Sequence, residues 1–461
     1  MILLMMMSMQ GAEAAPLDDY VNRPDPFYSW TTLNWSSRGP TYTLFAINMT
    51  SQMWLTDAES SQATWWHYLY VVVPDRLTNY ETALLYIGLG NNPDSCIPAA
   101  NDPFISFATK MADSTGSVCA VLNQVPNQPI VFNNDPNQAK RFEDAILAWS
   151  WYQFINNNAS VDWLTVLPMT KAAVRAMDTI TAFANQLNPS HNINKFVVSG
   201  ASKRGWTTWL TGAVDRRVVA IVPIVMDLLN ITEIRTDAED REKDTKIFST
   251  FCLLCRAAYK DRLTMPKYII TAGGDEFFLP DNSYYYLDQM LGETYLRTVP
   301  NIGHSLTFQT ALVYSGVQAF YLSVVENTRR PNMTWTMKFK RTGGVLTMFT
   351  DTIPVKVEVH YAKTVDGVRR DFRASVLDPT NPGSVIPHPV FWNETKAVAK
   401  NSFQYRATFR NPKKGWLIFH IQAFFDGPKG SKFEFTTENM IIPNRLPFPR
   451  CQGEACHGML L

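Results

Sequence analysis

The chain has 461 residues, 46% of them hydrophobic and 13% aromatic, enough for a large core, which excludes wholesale disorder. Lys and Arg number 42 against 41 Asp and Glu, a net charge of +1, so no basic face is implied and nucleic-acid binding is unsupported. Beyond the N-terminus no apolar run approaches the ~20 residues of a membrane-spanning helix, so no membrane span is expected; two domains, or three, fit the length.

In chain order, Met1 to Met9 is apolar, and Ala12-Glu13-Ala14 is a small-x-small site before Ala15-Pro16. Residues 1–15 fit a secretory signal and hence a secreted, extracellular protein. The run is short and lacks an initial Lys or Arg, so an untargeted Met-rich leader is the competing reading. Asn34, Asn48, Asn158, Asn230, Asn332 and Asn393 stand in Asn-x-Ser/Thr sequons and are candidate glycosylation sites. The six cysteines are an even number, as oxidising compartments favour, and proximity suggests Cys96 with Cys119, Cys252 with Cys255 and Cys451 with Cys456. Cys252-x-x-Cys255 lacks a second such pair or a nearby histidine, and Cys451, Cys456 and His457 lie at the C-terminus, so no metal site and no cofactor are expected.

Leu17 to Trp35 is polar and aromatic and is expected to wrap the surface. Tyr42 to Thr50 and Trp65 to Val73 read as strands. Ala83 to Gly88 is nearly continuously apolar, as in a strand buried on both faces, and runs into Leu89, Gly90 and Asn91. Helices are expected over 104–111 and 139–154, with Phe142, Ile146, Trp149 and Gln153 on one stripe, and over 171–187, capped by Thr170. Ser117 to Asn123 is a further strand. Strands alternating with helices predict a mostly parallel sheet covered on both faces.

Phe196-Val197-Val198 is a buried strand that breaks at Gly200, and an amphipathic helix with Trp206, Trp209 and Leu210 follows. Ser202 sits on the turn between them. A serine there has its Oγ exposed and the following backbone N–H groups aimed outward, as in the nucleophile elbow of an α/β-hydrolase. The pattern is Gly-x-Ser-x-x-Gly, with Arg204 where the usual second glycine would stand; an ordinary strand–turn–helix with an N-capping serine competes. Two later stretches favour the elbow. Met265 to Asp275 is a strand ending in Gly273-Gly274 and the aspartate, and Tyr295 to Pro300 is a strand followed by Asn301-Ile302-Gly303-His304. Serine, acid and histidine thus follow in the order this fold requires. Asp227, after the strand Val218–Val225, is the alternative acid, and Asp281 a weaker one. Glycines Gly273 and Gly274 are expected to give Asp275 an open loop facing the histidine. Backbone donors for an oxyanion are sought at Lys203 and at Leu89, Gly90 and Asn91, where a plain Gly-Asn turn is the alternative.

Residues 228–262 are charged and helical in pattern and are expected to form a cap insertion, its 237–246 charge run a solvated face. Past Arg330 helical periodicity stops and short strands follow at 333–339, 346–349, 355–360, 369–375, 404–409, 416–424 and 433–437. The expected organisation is an α/β-hydrolase domain over 16–330, an Ig-like β-sandwich over 331–450 and a tail over 451–461.

Leu17-Asp18-Asp19-Tyr20-Val21 with Pro24-Asp25-Pro26, the run Leu167 to Asp178, the elbow with Trp206-Thr207, and Phe277-Phe278-Leu279-Pro280-Asp281 resemble the PhoPQ-activated pathogenicity-related proteins. Arg370-Asp371-Phe372-Arg373 and Phe435-Thr436-Thr437 fit as well. The resemblance covers nearly the whole chain after the leader and implies an α/β-hydrolase fold, a C-terminal β domain and secretion. It places Ser202, Asp275 and His304 in a triad but supplies no substrate, since members are known for virulence or growth signalling. The basic residue after the serine is also similar to glucuronoyl esterases, which would put the Lys203 side chain at the oxyanion site. Two functions follow: a secreted serine hydrolase acting on an ester or peptide, and a secreted signalling protein that binds a cell-surface receptor on a hydrolase scaffold.

Overall fold

In the computed structural model, which describes residues 16–92, 97–99, 101–157, 159–227, 259–381 and 383–447, the apolar runs become strands of one large sheet. Helix α1 (Pro16–Asn22) is followed by β1 (Ser29–Arg38), β2 (Tyr42–Met53), β3 (Thr64–Pro74), β4 (Asn79–Ile87), α2 (Pro103–Thr115) and β5 (Ser117–Leu122). Then come α3 (Glu143–Asn156), α4 (Val166–Leu187), β6 (Lys195–Ala201), α5 (Lys203–Val214), β7 (Val218–Ile224), β8 (Lys267–Ala272), β9 (Thr294–Val299) and α6 (Thr310–Val325). The order β5-β4-β6-β7-β8-β9 is parallel throughout, and β1-β2-β3 joins β5 as an antiparallel flank.

Period-two alternation divides the core. Ala83, Leu85 and Ile87 of β4, with Val118, Ala120 and Leu122 of β5, face α1, α3, α4 and α5. Leu84, Tyr86, Cys119 and Val121 face α2 and α6. Neighbouring side chains on a strand point to opposite faces, so these runs must be apolar at every position to fill both layers.

The C-terminal strands are β10 (Met333–Lys340), β11 (Gly343–Thr350), β12 (Lys356–Lys363), β13 (Ser375–Leu377), β14 (Val385–Pro387), β15 (Asn393–Lys396), β16 (Val398–Asn401), β17 (Gln404–Arg410), β18 (Leu417–Asp426), β19 (Lys432–Thr436) and β20 (Met440–Ile442). Two layers form, but not as a separate body. The sheet β10-β11-β17-β16 faces strands that continue the central sheet in the order β9-β19-β18-β12-β15. The join is antiparallel at Leu296 and Thr436, with Tyr295 stacked on Phe435 at 4.4 Å. Leu346, Met348 and Ala407 share one core with Phe419, Ile421, Phe320 and Val222. Without β19, β9 would present a bare apolar edge.

Other expectations shift locally. Residues 17–35 do not merely wrap the surface: α1 buries Leu17, Tyr20 and Val21, and β1 pairs with β2. Helix α4 begins at Val166, so Thr170 lies inside it and bonds back to the Val166 carbonyl at 2.8 Å. Pro168 is tolerated because first-turn N–H groups have no intrahelical acceptor. Residues 369–374 form no strand; Ala374 N–H instead donates to the Gly274 carbonyl at 2.7 Å. Cys119 is a free, buried thiol whose Sγ contacts the Ser117 carbonyl within the sheet, so its pairing with Cys96 is not present. The other five cysteines, the leader, Asn158, Asn230, the tail and nearly all of the expected cap lie outside the described residues. Asn34, Asn332 and Asn393 are exposed, whereas Asn48 is half-buried with its Oδ1 enclosed. Among the described residues no helix is long and apolar enough to cross a membrane.

Candidate active site

The parallel strands end on one side of the sheet, and their carboxyl ends carry Ser202 after β6, Asp227 after β7, Asp275 after β8 and His304 after β9. Ser202 adopts φ 57° and ψ −130°, a conformation rarely available to a residue with a Cβ. Its N–H donates to the Ile224 carbonyl at 2.9 Å, and its own carbonyl accepts from Gly205 N–H at 2.7 Å. The turn is held from both sides. A Cβ on Gly200 would lie 2.6 Å from the Arg204 carbonyl oxygen, and one on Gly205 2.7 Å from the Met226 Cβ. The late second glycine is therefore where α5 crosses β7 at closest approach.

His304 Nε2 lies 2.8 Å from Ser202 Oγ, and its Nδ1 lies 3.0 and 3.1 Å from the two carboxylate oxygens of Asp275. Asp275 is almost wholly buried, and its Oδ1 also accepts from Phe277 N–H at 2.9 Å and Phe278 N–H at 3.0 Å. His304 N–H donates to Glu276 Oε2 at 2.7 Å, and Phe277 meets the imidazole edge-on at 4.7 Å. The glycines before Asp275 are packed rather than open. A Cβ on Gly273 would lie 2.9 Å from the Trp392 ring, and one on Gly274 2.9 Å from the Ala374 Cβ. Asn301, three residues before the histidine, exchanges two hydrogen bonds with the Trp392 backbone, at 2.7 and 2.9 Å. C-terminal residues thus brace both loops.

The rival acids have other surroundings. Asp281 pairs with Arg370 at 2.6 Å. Asp227 is buried with its Oδ1 unpartnered; burial first, then the charge of Asp275, pushes its carboxyl up to about 8.

Leu89, Gly90 and Asn91 line the same cleft as Ser202, Lys203 and His304, a cavity of about 860 Å³. The Gln128 amide fixes that loop through the Gly90 carbonyl at 3.2 Å and Asn91 Oδ1 at 3.1 Å. The Lys203 side chain does not point its charge at an oxyanion position. Its Nζ meets Glu143 Oε2 at 2.7 Å and Asp144 Oδ1 at 3.0 Å. Arg204, almost fully buried, forks onto both Glu143 oxygens at 2.5 and 2.6 Å, with its Nε on the Val125 carbonyl. Against the upward push of burial, Arg204 and Lys203 hold Glu143 down at about 2. Glu143, Gln128 and Glu276 were not singled out by sequence reasoning. Among the described residues no group of three or more His, Cys, Asp or Glu could hold a metal ion.

The family model for the PhoPQ-activated pathogenicity-related protein matches residues 17–241 and 240–373. Autocrine proliferation repressor protein A of Dictyostelium discoideum is 35% identical, the alignment covering 99% of this chain and 96% of that protein. Among solved structures, acetyl xylan esterase from Paenibacillus sp. R4 is 10% identical with a TM-score of 0.44, covering 68% of this chain and 92% of the esterase. Glucuronoyl esterase from Solibacter usitatus is 12% identical with a TM-score of 0.40, covering 64% and 87%. The hydrolase-type layout stands on the strand order itself, and the sequence match over nearly the whole chain makes this protein a member of the PhoPQ-activated pathogenicity-related family.

Proposed function

We propose that the protein is a secreted serine hydrolase of esterase or peptidase type. One observation carries the reading: Ser202 Oγ, His304 and Asp275 form a continuous hydrogen-bonded chain on a strained turn. Ser202 Oγ would attack the acyl carbon while its proton passes to His304 Nε2. Asp275 would fix the imidazole tautomer and balance the imidazolium charge. The tetrahedral oxyanion would be met by backbone N–H groups at the start of α5 and in the Leu89–Asn91 loop. Collapse would transfer the histidine proton to the leaving group, and a water activated by His304 would then release the acid and restore Ser202.

Secretion is supported by the leader-like residues 1–15 and by exposed sequon positions Asn34, Asn332 and Asn393. The two facing C-terminal sheets are read as an Ig-like accessory module with a bracing role. A second reading, a secreted growth-regulating ligand for a cell-surface receptor, draws on the name of the 35% identical relative. The two readings are compatible if hydrolysis acts on a signal.

The test is labelling with a fluorophosphonate probe. The parent should label and Ser202→Ala should not. A well-folded parent that stays unlabelled from neutral to mildly alkaline pH would sink the hydrolase reading and leave the binding one.

A further inference from the structure

The cleft beside Ser202 combines apolar walls with cancelled charge. Phe277, Phe308 and Phe142 line it while 68%, 54% and 43% exposed, and Leu89 adds to the same surface. Three phenyl rings left in water around one reacting serine are the apolar area that a bound group would cover. Among the described residues that line the cleft, no Lys or Arg is left without a carboxylate partner. Lys203 and Arg204 carry two positive charges, and Glu143 and Asp144 two negative ones; Lys203 pairs with both carboxylates and Arg204 with Glu143. The Lys203 side chain is 8% exposed and Asp144 is 81% exposed, so the negative partner, not the ammonium, faces the mouth.

Resting on the serine-hydrolase reading, we propose that this site takes esters of uncharged hydrophobic acyl groups, aromatic or of medium chain length, and rejects acyl groups that bear a carboxylate. An anionic acyl chain would have to strip a carboxylate from Lys203 and pass Asp144, with no free cation among the described lining residues to offset its lost hydration. A neutral chain instead displaces water from the phenyl rings. In the reaction the Ser202 Oγ–acyl bond forms as the ester C–O bond breaks, the serine proton leaves with the alcohol by way of His304, and water later restores the enzyme. Asp144 is a specificity residue here, because it holds the Lys203 charge away from the substrate.

The experiment compares kcat/KM of the full secreted chain for 4-nitrophenyl acetate, hexanoate and mono-adipate, with fluorophosphonate labelling in parallel. Hexanoate should exceed acetate by roughly tenfold or more, since each methylene in an apolar pocket brings a few-fold or better. Mono-adipate, of the same length with a terminal carboxylate, should fall about 100-fold below hexanoate. Asp144→Asn should narrow that gap, a within-variant ratio that does not depend on how much protein folds. Labelling with acetate equal to or above hexanoate, or with mono-adipate turned over as well as hexanoate, overturns this proposal alone. Neither labelling nor turnover of any ester overturns the hydrolase reading and this one with it.

Discussion

Asp227 directly follows Met226, on which the Gly205 helix turn packs, and is buried and within the influence of the Asp275 charge. Its proton is held in the fold up to about pH 8 but is lost near 3.8 in the unfolded chain. Between those values the folded state binds the extra proton, so this residue's contribution to stability is largest in acid and declines as pH rises towards 8. Asp227→Asn removes the ionisation while keeping the shape. The parent's melting temperature should fall between pH 5 and 9, and the variant should lose part of that fall. Identical pH slopes in thermal unfolding would mean that Asp227 is ionised in the fold. Ser202, Asp275 and His304 were legible because each follows a strand with a glycine within two residues, a local pattern. Glu143 and Glu276 were not: their partners Arg204 and His304 come from other elements, and nothing adjacent to either carboxylate marks it.

The strand–turn–helix of β6, Ser202 and α5 depends on two glycines, Gly200 and Gly205, the second of which Gly-x-Ser-x-Gly spacing does not describe. Gly205→Ala would put a Cβ 2.7 Å from the Met226 Cβ and 3.0 Å from the Ile224 carbonyl oxygen. Overpacking of this kind costs about 1–3 kcal/mol. Because α5 must lift to relieve it, labelling of Ser202 should fall more than stability does. Urea unfolding with parallel probe labelling checks this; unchanged labelling would show that the elbow tolerates the shift. Element type was readable here because both layers of the sheet need apolar residues at successive positions. Element ends were less so, since Thr170 reads as the cap of a helix over 171–187 yet sits inside α4, which begins at Val166.

Across the whole molecule, the alternating strands after Arg330 were recognisable as strands, but alternation names a buried face and not the sheet that receives it. Their continuity with β9 was therefore hidden until Tyr295, Phe435 and Thr436 were seen together. A chain ending at residue 330 should accordingly not behave as a free-standing hydrolase domain. It would expose the β9 edge with Tyr268 and Tyr295, both of which pack on Phe435. Aggregation, or dye binding typical of exposed apolar surface, is the expected result; a monomeric, cooperatively melting fragment would refute it.

The contacts of Ala374 and Trp392 with Gly274 and Gly273 also fix an order in time. A ribosome delivers Ser202, Asp275 and His304 well before it delivers Trp392, and β18 and β19, which carry the sheet on from β9, come later still. The nascent chain thus carries Ser202, Asp275 and His304 for a time while the loops that align them lack their brace. The alignment of Ser202 with His304 and Asp275 is therefore braced only after the segment around Trp392 has emerged and folded back.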